Sequence, residues 1–278
     1  MASVPTCCPP GSHGAAPRAD QGSLRGENVR LSSSSGEFDM YVSRPGPGEL
    51  VREGQCLIFL PDIFGVDSGR TKVICDTFAA QGYTVVLPDV QKYGGIPSPD
   101  TFSWKVMALP SLSSFMWNNS RSVFMPRLQQ AVLPFVRNEF GATDIALLCF
   151  CWGCYPMTCL LEQQESDIRC AVGFHPSLLV SRFYWENRQK QLAAVQVPML
   201  FLSGKNDPSD VMPNGLADKA MQKKPFAKDC KFKLYKDMVH GWVNRGDLEQ
   251  PDIATAYKAS LDDATEFLAK MMPVAEKE

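Results

Sequence analysis

The sequence predicts an α/β fold, a mostly parallel central sheet with helices on both faces. Three observations predict it. Strand-like and helix-like stretches alternate from about residue 38 to the C-terminus, the pattern of chains that wind helices around a parallel sheet. Two candidate strands, residues 56–60 and 145–150, are continuous apolar runs, as expected where a strand is covered on both faces. The second run ends at one nucleophilic residue, Cys151, where a helix-like pattern takes over.

The elements follow in order. Residues 1 to about 36 are rich in Ser, Gly and Pro and end in Ser32-Ser33-Ser34-Ser35-Gly36. They read as a poorly ordered or loosely docked arm, with residues 37–278 as a single domain. Residues 38–42 alternate as a short strand, and 56–60 form the first buried one. Residues 69–81 carry Val73, Ile74, Phe78 and Ala79 at helical spacing, stopped by Gly82. Residues 83–87 are the next buried strand. The stretch 90–120, with Trp104 and Trp117, reads as loop-rich. Residues 121–139 place Val123, Leu128, Ala131, Val132, Phe135 and Val136 on one helical face, with Pro134 expected to kink it. Residues 145–150 are a strand and 152–164 a helix. Residues 171–174, 198–203 and 231–235 are the remaining strands. A last helix carries Ile253, Ala256, Tyr257, Leu261, Ala264, Phe267 and Leu268.

Composition narrows the function. The net charge is -2 without a basic stripe, which argues against a nucleic-acid partner. No apolar run approaches the roughly 18 residues that span a bilayer. The N-terminus lacks a charged segment followed by an apolar one, so it is not a secretory signal. The ten cysteines are too sparse for a disulfide scaffold and are expected to be reduced in a cytoplasmic protein. Whether the chain is a monomer or a homodimer is not written in the sequence.

A strand that breaks into a helix at a nucleophile is a nucleophile elbow, usually G-x-S-x-G. In Cys149-Phe150-Cys151-Trp152-Gly153 a thiol replaces the hydroxyl and Cys149 replaces the first glycine. A thiol attacks as thiolate, favoured by a helix start and by a nearby imidazole. The chain has three histidines. His13 lies in the arm. His175 follows a strand. His240 follows the last strand, so it suits the chain order nucleophile, acid, base. Asp207, just after the strand at 198–203, is the candidate acid, with Asp210 as a substitute. The backbone N–H of Trp152 and of Ile63, in the loop after the first buried strand, are candidate oxyanion donors.

Asp62-Ile63-Phe64-Gly65, Leu87-Pro88-Asp89, Phe150-Cys151-Trp152-Gly153, Gly204-Lys205-Asn206-Asp207 and His240-Gly241-Trp242 together resemble the ordered motifs of the dienelactone hydrolase (carboxymethylenebutenolidase) family over about residues 38–270. The resemblance implies an α/β-hydrolase fold and a Cys-His-Asp triad, Cys151, His240 and Asp207, that cleaves small esters or lactones without a cofactor or metal. It further implies a substrate-side role for Asp62, which stands where bacterial members have a glutamate beside the resting thiol, and for Arg245, in the place of an arginine that holds a substrate carboxylate. Trp152 and Trp242 are placed to line a pocket or, on the plainer reading, to cover core. Gly153 is followed by Cys154 where the family has a second glycine, and Gln91-Lys92-Tyr93 holds no arginine.

Other readings of the same residues are plainer. Cys149, Cys154 and Cys159 read as core, since Cys149-x-Cys151-x-x-Cys154 lacks partners to complete a metal site. Cys7-Cys8 in the arm reads as a thiol pair, a labile metal contact or, best for a flexible arm, as having no role. His175 reads as a satisfied histidine near the pocket rim, and Arg245 could instead pair with Asp247. The alternative function is a non-catalytic or redox-responsive protein that uses Cys151 as a reactive thiol.

Overall fold

In the computed structural model of the chain, which describes residues 8–9, 11–13, 24–96 and 110–274, eight strands form one sheet. They are β1 (Glu27–Ser33), β2 (Gly36–Ser43), β3 (Gln55–Leu60), β4 (Thr84–Pro88), β5 (Asp144–Phe150), β6 (Ile168–Phe174), β7 (Met199–Gly204) and β8 (Lys231–Tyr235). Their order is β1-β2-β4-β3-β5-β6-β7-β8. β1 and β2 are antiparallel to their neighbours, and β4 through β8 with β3 run parallel.

Successive side chains on a strand point to opposite faces, and the central strands divide accordingly. Cys56, Ile58 and Leu60 of β3 join Ile145, Leu147 and Cys149 of β5 in one core layer. Leu57 and Phe59 join Ala146, Leu148 and Phe150 in the other. Helix Cys154–Leu161 packs in the first layer. Helices Thr71–Ala79 and Pro251–Met271 pack in the second. Phe59, Phe150 and Phe174 stack across three adjacent strands with centroids 5.9 and 5.3 Å apart. Each such fully buried ring contributes roughly 1.5–3 kcal/mol. Chain order reverses about β3, with β4 on one side and β5 on the other. Ligand clefts of open α/β sheets form at such a reversal, beyond the carboxyl ends of the strands.

Three expectations need correction. Residues 27–35 are not arm: β1 pairs with β2 from Glu27↔Val42 to Ser33↔Gly36. Val29 and Leu31 pack on the core beneath it, an alternation masked by the flanking serines. Residues 110–118, expected as loop, form a helix; residues 97–109, including Trp104, lie outside the described residues, as do most of residues 1–23. The helix at 121–140 is continuous but not uniformly α: a π-helical stretch, Arg127–Val132, replaces the regular ladder just before Pro134, whose missing N–H interrupts the i→i−4 bonds of that run. Among the described residues no helix is long and apolar enough to cross a membrane.

Candidate active site

β5 delivers Cys151 to the carboxyl edge and ends there. Cys151 has φ +49°, a left-handed conformation costly for a residue with a Cβ. The chain turns at once into the short 3-10 turn Cys151–Gly153. Gly153 is required by space. A Cβ there would lie 2.5 Å from the Leu60 carbonyl oxygen and 2.8 Å from that of Pro61. Cys149, in the place of the usual first glycine, sits fully buried opposite Gly173 of β6. The Cys151 carbonyl accepts from Ser177 N at 3.0 Å, which ties the elbow to the loop after β6.

Asp207 lies in the turn after β7. Its Oδ2 accepts from Gly204 N at 2.7 Å, and its Oδ1 lies 2.5 Å from His240 Nδ1. Both side chains are fully shielded from solvent. The backbone N–H of His240 donates to Asn206 Oδ1 at 2.7 Å, so adjacent residues 206 and 207 grip both the main chain and the ring of His240. Burial alone would lower the His240 pKa. The Asp207 carboxylate outweighs it and lifts the value to about 9. The Cys8 sulfur, on the other side of the His240 ring, adds to the rise. Asp210 is engaged elsewhere, in ion pairs with Arg188 and, at 3.8 Å, with Arg182.

Cys151 Sγ, a ring nitrogen of His240 and a third atom, Cys8 Sγ, all lie within 4.8 Å of one another. With Nδ1 turned to Asp207, Nε2 is the nitrogen left for the sulfurs. The two sulfurs are 3.5 Å apart, and both cysteines are fully buried. The structure thus brings together the three candidate triad residues and adds one that the sequence reading set aside. Cys7-Cys8 was read as having no role; Cys8 sits on the nucleophile. His13, expected to be unplaced, donates its backbone N–H to the His240 carbonyl at 2.9 Å. Cysteine content gave no signal for this contact, which spans 143 positions in sequence.

Asp62 begins the loop after β3. Its Oδ1 accepts from Phe64 N at 2.9 Å, a turn that fixes the Ile63–Phe64 peptide. Its Oδ2 accepts from Ser68 Oγ at 2.8 Å and Asn244 Nδ2 at 2.9 Å, and lies 3.4 Å from Arg245 Nε. Burial pushes its carboxyl pKa up against the pull of Arg245 and Asn244. Ile63 is buried, and its carbonyl accepts from Ile96 N at 2.8 Å. Gln91 Nε2 donates to the Asp62 carbonyl at 2.6 Å, so the Gln91-Lys92-Tyr93 stretch supports this loop from outside.

Arg245 is buried with a fully shielded side chain, its guanidinium 4.5 Å above the Phe64 ring, and it pairs with Asp62 rather than Asp247. The guanidinium also faces the Cys8 and Cys151 sulfurs, and against burial the negative charge of Asp62 and of these sulfurs raises its pKa. Gly241, at φ +88°, makes this possible, since a Cβ there would come within 2.3 Å of Arg245 Nη2. Two expected positions differ. Trp242 belongs to the opposite core layer with Met238, Ile253 and Leu261 and packs at a tilt against Tyr235, centroids 4.6 Å apart, away from the layer that holds Cys151. His175 is not at a rim. It is fully buried, bonded through Nε2 to Asn244 Oδ1 at 3.1 Å, and packed on His240 at 4.9 Å.

The profile of the dienelactone hydrolase family matches residues 39–272. The carboxymethylenebutenolidase homolog of Homo sapiens is 25% identical over 227 residues, 80% of this chain and 83% of that protein. Hydrolase pyvD of Aspergillus violaceofuscus is 25% identical over 257 residues, 90% of each. Among solved structures, a putative dienelactone hydrolase from Klebsiella pneumoniae superposes with a TM-score of 0.61 at 15% identity, covering 90% of this chain and 98% of its own. That likeness speaks for the α/β-hydrolase fold alone.

Proposed function

The chain belongs to the dienelactone hydrolase family and is a hydrolase of small esters or lactones, and from that premise we propose that it works through a thioester formed on Cys151. Cys151 Sγ attacks the ester or lactone carbonyl carbon. The carbonyl oxygen becomes an oxyanion, received by the backbone N–H groups of Ile63 and Trp152. The intermediate collapses, the C–O bond to the leaving oxygen breaks, and that oxygen takes a proton from His240. In a lactone it remains tethered to the acyl group. Water then gives a proton to His240 and adds to the thioester carbon. Collapse frees the carboxylic acid, which gives its proton to solvent, and returns the sulfur as thiolate beside the imidazolium.

The observation that carries this reading is the 2.5 Å contact of His240 Nδ1 with Asp207 Oδ1, with Cys151 Sγ within 4.8 Å of the same ring. A carboxylate on Nδ1 fixes the tautomer and steadies the imidazolium. An imidazolium with a pKa of about 9 also favours a resting thiolate at Cys151. Arg245, a buried guanidinium that faces the Cys8 and Cys151 sulfurs, supports a substrate that carries a carboxylate. Asp62 holds Arg245 and the Ile63 peptide rather than acting on the thiol. A small anionic lactone or ester is the substrate class that fits.

The test is acyl-enzyme capture. Rapid quenching with an activated aryl ester should add one acyl mass to the intact protein, located on Cys151. Cys151→Ala should lose both the adduct and turnover while keeping its far-UV signature, and Cys151→Ser should keep little rate. Turnover near wild type in Cys151→Ala would end the assignment.

A further inference from the structure

We propose that Cys8, Cys151 and His240 form a zinc site that straps the N-terminal segment over the nucleophile. Three ligand atoms converge from two loops and the N-terminal segment. Cys8 Sγ and Cys151 Sγ are 3.5 Å apart, and both lie within 4.8 Å of a His240 nitrogen. Zinc binds sulfur at about 2.3 Å and imidazole nitrogen at about 2.0–2.1 Å, which at tetrahedral angles sets S···S near 3.8 Å and S···N near 3.6 Å. The cluster needs only small adjustments to reach those separations.

The surroundings suit a metal as well. His240 faces the Cys8 sulfur with its other ring nitrogen, while Nδ1 faces the Asp207 carboxylate at 2.5 Å. Carboxylate on one nitrogen and metal on the other is the common arrangement around a zinc-bound histidine. Two thiolates balance a divalent charge, and thiolate with imidazole selects zinc over calcium or magnesium. Three protein ligands leave the fourth position to water.

The segment is built to stay in place. Ser12 N and Oγ both bond to the Pro9 carbonyl, at 3.2 and 2.5 Å. His13 N bonds to the His240 carbonyl at 2.9 Å. Cys8 therefore rides on a turn fastened to the loop that carries its partner ligand. With zinc bound, the sulfur that would attack a substrate is a ligand, and the segment covers it. Zinc removal restores the nucleophile. The site goes beyond the hydrolase reading, because it needs only the three ligands and not turnover.

Full-length protein, reduced with a phosphine and stripped with a chelator, is titrated with zinc alone. Metal content is read by emission spectroscopy, and Co²⁺ substitution by its thiolate charge-transfer absorption. One zinc per chain is expected. Cys8→Ser should lower zinc affinity about 100-fold or more and remove the cobalt band, Asp207→Asn should lower affinity roughly 10–100-fold as a partner behind the ligand, and Cys7→Ser should change neither. Zinc should inhibit ester cleavage by the wild type and spare Cys8→Ser at the same concentration. No stoichiometric zinc in the wild type, or equal affinity in Cys8→Ser, would overturn the site. So would formation of a Cys8–Cys151 disulfide in place of zinc uptake. Absence of ester cleavage by the metal-free wild type, with zinc uptake intact, would count against the hydrolase mechanism and leave this site standing.

Discussion

The loops after β6 and after β8 each place one histidine at the carboxyl edge, and the two rings touch at 4.9 Å. Both are fully buried, yet their protons are held in opposite ways. His175 offers Nε2 to a neutral amide, Asn244 Oδ1 at 3.1 Å, and its Nδ1 has no partner. Burial first, then the positive charge of His240 and Arg245, drives its pKa well below the ordinary value. His240 has the Asp207 carboxylate on Nδ1 and is held up at about 9. One carboxylate, set by the turn after β7, separates a proton-carrying imidazole from a neutral structural one. Burial by itself does not make a base.

The largest effect expected follows from removing that carboxylate. Asp207→Asn should cost roughly 10⁴-fold in kcat/KM, because the imidazole loses both its tautomer and its imidazolium partner. Steady-state cleavage of an aryl ester checks this. A loss of less than tenfold would mean that position, and not charge, distinguishes the two histidines.

Stability against pH sharpens the same contrast in metal-free protein. His240 is raised, so the folded state keeps a proton that the unfolded chain has released between about pH 6.5 and 9. Its contribution is full below pH 6.5 and is lost as pH rises through 9. His175 is lowered, so below pH 6.5 the unfolded chain takes a proton that the folded state refuses, and stability falls as pH falls. Urea midpoints across pH should therefore peak near neutrality. Asp207→Asn should flatten the alkaline limb and leave the acid limb. An unchanged alkaline limb in that variant would show that Asp207 is not what holds the His240 proton.

A smaller effect is expected from the neutral partner. His175→Phe keeps a ring against Phe150, now 5.8 Å away, but strands Asn244 Oδ1. The cost should be about 1–3 kcal/mol in stability, with kcat/KM within about tenfold of wild type. Denaturant titration and ester kinetics on the same preparation separate the two. A thousandfold fall in rate with stability kept would give His175 a part in the reaction.

How far this contrast was legible depends on what each residue needs from the fold. The parallel sheet could be read from β3 and β5, because burial on both faces leaves an uninterrupted apolar run. The order Cys151, Asp207, His240 could be read because each follows a strand end. The neutral state of His175 could not, since it depends on Asn244, 69 positions away. Trp242 read as a pocket residue from its place beside His240. The chain turns through Gly241 and sends the side chain to the other core layer. Cys8 was out of reach for a stronger reason. The low-complexity segment around it has no periodicity, and only the assembled carboxyl edge offers it a partner. β1 was missed because serines flank and dilute its two apolar positions, Val29 and Leu31.

The smallest effect is expected at the second carboxylate of the β7 loop. Asp210 is three positions from Asp207 and satisfies the same rule of following a strand. Its Oδ2, however, meets Arg188 and, at 3.8 Å, Arg182. Arg182 is about half exposed, so that pairing is screened and is worth no more than about 1 kcal/mol; the Arg188 side chain is as shielded as that of Asp210, so that pairing contributes more. Asp210→Asn should accordingly lower the denaturation midpoint and leave kcat/KM within about threefold, with the pH–rate profile unmoved. If the profile shifts as it does for Asp207→Asn, the imidazole answers to the charge of the whole loop and the 2.5 Å contact is not what sets its proton. If only the midpoint moves, a single hydrogen-bonded carboxylate accounts for the difference between the two histidines.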